Sequence, residues 1–366
     1  QAQQLLVGED ALTLTFNAQR EGEVVFEDVV RQSDAGWLRL RFRKLSLNGH
    51  TLRLTSLEDG TVQHLNGVTA AQWRLTTAYF NGDSVLVEVL ASERGAGHVV
   101  LALKALDYDA RLPRSSSSSN EDAVEEKSVC YSPDTRVLSN DTRQGRYIYD
   151  DPNGCCTAWI TDAPGNCFLS AGHCTDVGYG LVEFNVPMSK EDGTLVHPGP
   201  EDQYIVDQES MQTAYNGITN DWRFFGVFPN SEHGLTPLER YTGLLYRLAR
   251  SDENPEFGAN LEIIGFGENE DFPATERRVQ KTASGPFHGR SGDTVDHRVD
   301  TSNGNSGSAI FDTTSNFAIG IHTNGGCTPS SGNSHNYGVS IFNTRLQQAL
   351  ANPRGVCAQR RKLTHA

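Results

Sequence analysis

Between Leu5 and Ala105 the chain repeats one pattern, in which apolar and polar residues alternate over a few positions and a turn residue follows. It is written in ALTLTF (11–16), GWLRLRFRKLSL (36–47), HTLRLTSL (50–57), DSVLVEVL (83–90) and HVVLALKAL (98–106). A period of two sends successive side chains to opposite faces, so each run reads as a strand with one wet face. Such runs, separated by turn residues and by no long helical pattern, predict an antiparallel β-sandwich of the jelly-roll kind over residues 1–108. No catalytic constellation lies within it.

Residues 109–129, DARLPRSSSSSNEDAVEEKSV, join a serine tract to an acidic run. That composition cannot bury enough apolar area to offset the entropy of ordering it, so the segment reads as a linker. Exposed linkers are where nicking concentrates, and Arg114, Glu121, Glu125 and Glu126 are candidate maturation sites, a plain spacer being the alternative. From 130 to 357 short apolar runs such as TAWI, LVEFNV, LEIIGFG and FAIGIH alternate with Gly, Asn, Asp and Pro-rich loops, which predicts a second all-β domain. One helix is expected, in NTRLQQALANP (343–353), where Leu346 and Leu350 share a face and Pro353 marks the stop. Residues 358–366 read as a basic, solvated tail.

All seven cysteines fall at or after Cys130, and no two have the Cys-x2-Cys spacing of a metal site. A disulfide-bearing domain exported to an extracellular or periplasmic space is the simpler reading, with one thiol left over. The sequence opens QAQQLLVGED, without the basic and apolar segments of a signal peptide, so the expectation of export rests on the cysteines. A net charge of -15 argues against nucleic acid or anionic lipid as partners. No apolar run of about 18 residues is present to span a bilayer.

The stretch TSNGNSGSAIF (301–311) brings chemistry into the reading. Most Ser, Asn and Gly clusters are ordinary turns. A serine used as a nucleophile needs a base, a group orienting that base and donors for the developing oxyanion. CFLSAGHC (167–174), which runs from a strand through small residues to His173, supplies a candidate base.

Taken together, CTAWITDAPGNCFLSAGHC (156–174), NDWRFFGVF (220–228) and GNSGSAIF (304–311) resemble the three catalytic blocks of trypsin-like serine peptidases in their order, His then Asp then Ser. The resemblance implies a two-barrel chymotrypsin-like domain with a triad of His173, Asp221 and Ser306, an oxyanion hole from the amides of Gly304 and Ser306, and a disulfide between Cys156 and Cys174. Asp221 would orient His173, and His173 would take the proton of Ser306. No metal or cofactor is expected, and Glu201-Asp202 reads as solvated loop charge. Partners are expected to be protein or peptide substrates, with intramolecular regulation by the N-terminal domain as a pro-domain or accessory module.

The match departs from the common pattern at Asn305, where an aspartate usually precedes the serine, and at Ser308-Ala309, where Gly-Pro is frequent. A neutral Asn305 cannot pair with a newly cut N-terminal amine, so the site is expected not to need that switch. The Asn-Ser-Gly-Ser form is similar to glutamyl endopeptidases, which points to Thr301 and His322 as pocket residues and to Glu or Asp at the P1 position of the substrate. Asp300, six before Ser306, points the other way, to Arg or Lys. Two rival readings stand beside the peptidase: an inert protease-like recognition or adhesion protein, and an α/β-hydrolase, which the strand following Ser306 disfavours.

Overall fold

The computed structural model describes residues 11–110, 128–149, 155–175, 178–241, 243–251, 254–268, 271–332 and 334–363. Most of the Ser-rich segment, including Arg114, Glu121, Glu125 and Glu126, lies outside the described residues. The chain divides into two compact units. One comprises Gln1–Ser116, Thr194–Ile205 and Pro229–Gly234; the other comprises Ser117–Gly193, Val206–Phe228 and Leu235–Ala366.

The first unit holds strands β1 (Leu12–Ala18), β2 (Val24–Arg31), β3 (Ala35–Ser46), β4 (Thr51–Ser56), β5 (Val62–Leu65), β6 (Phe80–Asn81), β7 (Ser84–Leu90) and β8 (Gly95–Ala110). They form two four-stranded antiparallel sheets, in the orders β1-β8-β3-β6 and β2-β7-β4-β5, which is the jelly-roll arrangement. Alternation decides the faces: in β4, Leu52, Leu54 and Ser56 are buried and Thr51, Arg53 and Thr55 are half-buried. A short helix, α1 (Gly67–Gln72), is capped by Asn66, whose side chain accepts from Val68 and Thr69 while the Thr69 hydroxyl accepts from the Asn66 amide.

Two pieces of the downstream sequence complete this unit. Gln203 Oε1 accepts from the Tyr79 amide at 2.8 Å, and Asn81 exchanges two hydrogen bonds with the main chain of His197. Glu232 accepts from the amide and the ring Nδ1 of His64. No local pattern announces these pairings, because each joins residues more than a hundred positions apart.

The second unit is built from β9 (Val137–Leu138), β10 (Gln144–Ile148), β11 (Cys155–Ile160), β12 (Phe168–Ser170), β13 (Leu181–Glu183), β14 (Gln203–Tyr215, which enters this unit at Val206), β15 (Asp221–Val227), β16 (Asn260–Gly265), β17 (Lys281–Ser291), β18 (Thr294–His297), β19 (Ala309–Asp312), β20 (Phe317–Asn324) and β21 (Asn336–Ser340). Strands β10-β11-β12-β15-β14-β13 close one barrel. The order β16-β19-β20-β21-β18-β17 closes a second through the β16–β17 pairing, with β9 added at β17. Closure removes the exposed strand edges an open sheet would present. The whole is all-β, a jelly-roll sandwich and a chymotrypsin-like pair of six-stranded antiparallel barrels.

A shared core runs through this unit, from Trp159, Leu169, Trp222 and Phe224 of the first barrel to Ile321 and Val339 of the second. Helix α2 (Pro237–Arg240) is a single turn; α3 (Thr344–Ala351) and α4 (Gly355–Leu363) end the described chain. Asn343 caps α3 by accepting from the Leu346 amide at 3.0 Å, and Leu346 and Leu350 both enter the core, each worth about 1.5–3 kcal/mol of burial. Helix α4 occupies the start of the stretch expected to be a tail, and Cys357 within it is joined to Cys167. Disulfides also join Cys130 to Cys327 and Cys156 to Cys174, leaving Cys155 free and buried. Among the described residues, no helix is long and apolar enough to cross a membrane.

Candidate active site

His173 stands three residues beyond β12, on a turn whose approach depends on Gly172. A Cβ on Gly172 would run into the carbonyl oxygen of Ala214 and to within 2.9 Å of the Trp222 amide, so only glycine lets the turn lie against β14 and β15. Asp221, the first residue of β15, is 1% exposed. Its Oδ1 accepts from the His173 amide at 2.8 Å and its Oδ2 lies 2.6 Å from His173 Nδ1. A carboxylate at Nδ1 places the ring proton there, and the neutral ring then offers Nε2 as a base. The adjoining Cys156–Cys174 bridge ties this turn to β11. Cys156, His173 and Cys174 are also the one group of three metal-type side chains drawn together among the described residues, but the two sulfurs are bonded to each other.

The loop carrying Ser306 packs directly against this turn. Gly307, at φ 92°, abuts the Thr157 carbonyl and Ser170 Oγ, and a Cβ there would lie 2.9 Å from the Ala171 amide. Gly304, at φ 103°, abuts the Phe266 carbonyl. Both positions combine a left-handed backbone with a close approach, and glycine alone meets both demands. Ser306 is half-buried, and neither its hydroxyl nor His173 Nε2 has a hydrogen-bond partner among the described residues.

The main chain of the loop divides its amides into two classes. Asn305 N donates to Ser302 O at 2.9 Å, Gly307 N to His322 O at 2.7 Å and Ser308 N to Asn305 O at 2.9 Å. The amides of Gly304 and Ser306, by contrast, donate to nothing among the described residues, as does that of the exposed Asn303. Gly304 is buried, and a buried amide without an acceptor is rare in folded proteins. Asn305 is buried too, and its Oδ1 accepts from the Ser302 amide at 3.0 Å, so the neutral side chain braces its own loop.

The three pocket candidates are all buried, and they differ in what occupies them. Asp300 accepts from the amides of Cys130 and Tyr131 through Oδ1, at 2.6 and 3.1 Å, and from the amide and hydroxyl of Thr135 through Oδ2, at 2.9 and 2.6 Å. Its charge anchors the segment that follows Ser128. Thr301 is held in the same network: its amide donates to Ser128 O at 3.2 Å, its carbonyl accepts from Ser128 Oγ at 2.7 Å, and its hydroxyl accepts from Asn336 Nδ2 at 3.2 Å.

His322, on β20, has Nδ1 3.1 Å from Nε2 of the equally buried His297. Burial, reinforced by the nearby His173, pushes the His322 pKa down to about 3, and burial beside His322 holds His297 well below the ordinary histidine range. Both rings are neutral at neutral pH. The Val299 amide donates to His297 Nδ1 at 3.2 Å, which puts the His297 proton on Nε2, facing His322 Nδ1, and leaves the His322 proton on its own Nε2. His297, Asn336, Ser128 and Thr157 were not singled out from the sequence; their types are unremarkable there, and only the folding of distant segments onto residues 297–306 gives them partners.

No protein-family model matches the chain, and no curated protein matches it. Among solved structures it is similar to a Glu endopeptidase in complex with MPD, at 17% identity and a TM-score of 0.43 over 61% of this chain and 98% of the other. It is similar to the protease Anisep from Arthrobacter nicotinovorans, at 15% identity and a TM-score of 0.43 over 59% and 100%. Human heparin binding protein is similar at 15% identity, with a TM-score of 0.42 over 60% and 96%.

Proposed function

We propose that this chain is a serine endopeptidase of a non-cytoplasmic, oxidising compartment, with Ser306 as nucleophile, His173 as general base and acid, and Asp221 as the group that orients it. The observation that carries the reading is the pair of unclaimed amides at Gly304 and Ser306, which alternate with the used amides of Asn305, Gly307 and Ser308. Unpaired donors flanking a serine supply what a tetrahedral oxyanion requires, and donors fixed in advance cost no reorganisation when the charge develops.

In this reading His173 Nε2 takes the proton of Ser306 Oγ as the oxygen attacks the peptide carbonyl. The imidazolium that forms is stabilised by Asp221, which already holds Nδ1 and the His173 amide. Collapse of the adduct expels the amine, which receives the proton from Nε2, and water repeats the sequence on the acyl-enzyme. The three disulfides favour an oxidising compartment. The N-terminal jelly roll is assigned the role of a pro-domain or accessory module.

For specificity we favour Glu or Asp at P1. Both oxygens of Asp300 are committed to donors of residues 130–135, so no free carboxylate is left there for a P1 Arg or Lys. A peptidyl phosphonate bearing Glu at P1, followed by mass-spectrometric mapping, tests the reading. Modification at Ser306, abolished in Ser306→Ala and outpacing an Arg analogue, is the expected result. A folded protein that no phosphonate labels, and that cleaves no peptide in a library, is instead an inert recognition protein on a peptidase scaffold.

A further inference from the structure

We infer that Thr157 is a positioning residue for the oxyanion amides, an assignment that rests on the serine-peptidase reading above. Thr157 lies on β11, fully buried, one residue after the cysteine that bridges to Cys174. Its main chain and side chain grip the nucleophile loop at two carbonyls. The Thr157 amide donates to Ser306 O at 2.8 Å, and its hydroxyl donates to Gly304 O at 3.0 Å. Those carbonyls belong to the peptide units immediately after the two unclaimed amides.

The direction of the hydroxyl bond is determined. Phe266 N donates to Thr157 Oγ1 at 3.1 Å and occupies a lone pair, so the single hydroxyl proton is left for the Gly304 carbonyl. The branch at Cβ restricts χ1, which fixes where that oxygen can sit. The restraint acts where the loop is softest. Gly304 has no side chain and a left-handed φ of 103°, so its peptide planes rotate more freely than those of any neighbour carrying a Cβ. Pinning its carbonyl restrains the 304–305 peptide plane, which lies between the planes that carry the Gly304 and Ser306 amides, and the Thr157 amide on Ser306 O restrains the plane that follows them.

Thr157 also reaches the base. Its carbonyl accepts from Ser170 Oγ at 2.8 Å, and Ser170 ends β12 three residues before His173. A single buried residue thus holds the nucleophile loop through its amide and hydroxyl and the histidine turn through its carbonyl. Without the hydroxyl, Gly304 O and Phe266 N both lose their partner, and the glycine can turn to satisfy its carbonyl elsewhere.

The test is Thr157→Val, which keeps the branch and nearly the volume, against Thr157→Ser, which keeps the hydroxyl. Steady-state kinetics on one peptide substrate are normalised to the sites titrated by the phosphonate, and the affinity of a peptide aldehyde, whose adduct places an oxyanion in the hole, is measured beside them. For Thr157→Val we expect kcat per titrated site to fall about 10- to 100-fold, short of the 100- to 1,000-fold that accompanies deletion of an oxyanion donor. KM should stay within about threefold, aldehyde affinity should fall in parallel with kcat, and Thr157→Ser should remain within about threefold of the parent. The assignment is overturned if Thr157→Val keeps kcat and aldehyde affinity per titrated site, or if Thr157→Ser is as impaired as the valine variant. A parent protein that takes no phosphonate and cleaves no peptide shows a different failure, that of the peptidase reading, and removes this assignment with it.

Discussion

Replacing Asp300 by asparagine separates two roles that its sequence position leaves confounded, that of a selector for basic P1 residues and that of an anchor. The carboxylate is 1% exposed and accepts four hydrogen bonds, three from amides and one from the Thr135 hydroxyl. The asparagine oxygen can go on accepting from Cys130 and Tyr131, but its NH2 then faces the Thr135 amide, and the Thr135 hydroxyl can turn to accept. At about 1–3 kcal/mol for an unsatisfied buried donor, with the weakening of charge-assisted bonds added, the loss comes to about 3 kcal/mol. For a unit of this size that is a fall in melting temperature of about 6–12 °C. The Cys130–Cys327 bridge keeps the segment attached, so the variant should still fold. Thermal unfolding followed by circular dichroism reads the first effect, and a peptide library read by mass spectrometry reads the second. The anchor role predicts a large drop in melting temperature with the P1 preference unchanged. An unaltered melting temperature together with a changed P1 preference would refute the reasoning outright.

Two further outcomes follow from the site. Asp221→Asn turns an NH2 toward His173 Nδ1 and favours the wrong tautomer, so kcat should fall by about four orders of magnitude, the loss known for the corresponding change in a chymotrypsin-type triad; a loss below about tenfold contradicts the assigned role. Stability should also depend on pH through His322. The unfolded ring takes a proton as pH falls through about 6.5 whereas the folded one waits until about 3, so the contribution is whole above pH 6.5 and is lost progressively below it. Between pH 7.5 and 5 this amounts to about 2 kcal/mol, with His297 acting in the same direction. Urea unfolding at the two pH values measures it, and equal stabilities would contradict the neutral, buried pair.

Much of the architecture is written locally, and the parts that are not share a cause. Alternation in HTLRLTSL and DSVLVEVL specifies strands because one face of each is buried, and β4 and β7 pair in register from Thr51 opposite Leu90 to Ser56 opposite Val85. The apolar face of Leu346 and Leu350, with Asn343 before it, likewise specifies α3. Helix α4 leaves no such local signature, because its buried surface rests on few residues, among them Val356 and Cys357, and its remaining composition reads as solvent-exposed. At the site, order and local type point to His173, Asp221 and Ser306, but the donors that hold Asp300 lie 165 to 170 residues upstream. The His297–His322 pair and the segments 194–205 and 229–234 of the first unit are non-local in the same sense, and no period or motif records such contacts.

Asn305 links these contacts to the question of how the site is shaped. An aspartate at that position would need a cation from elsewhere, whereas the asparagine finds its partner three residues away, at the Ser302 amide. Thr157 adds two hydrogen bonds to the loop from β11. The segment after Ser128 is then fixed by groups that every internal residue possesses: the amides of Cys130, Tyr131 and Thr135 on Asp300, and the Ser128 carbonyl receiving the Thr301 and Asn336 donors. None of these bonds requires a free terminal amine. Cutting the chain upstream of Ser128 would leave each of them in place, so any gain in activity from such a cut has to come from what it does to the residues before Ser128, not from a new terminus completing the oxyanion loop.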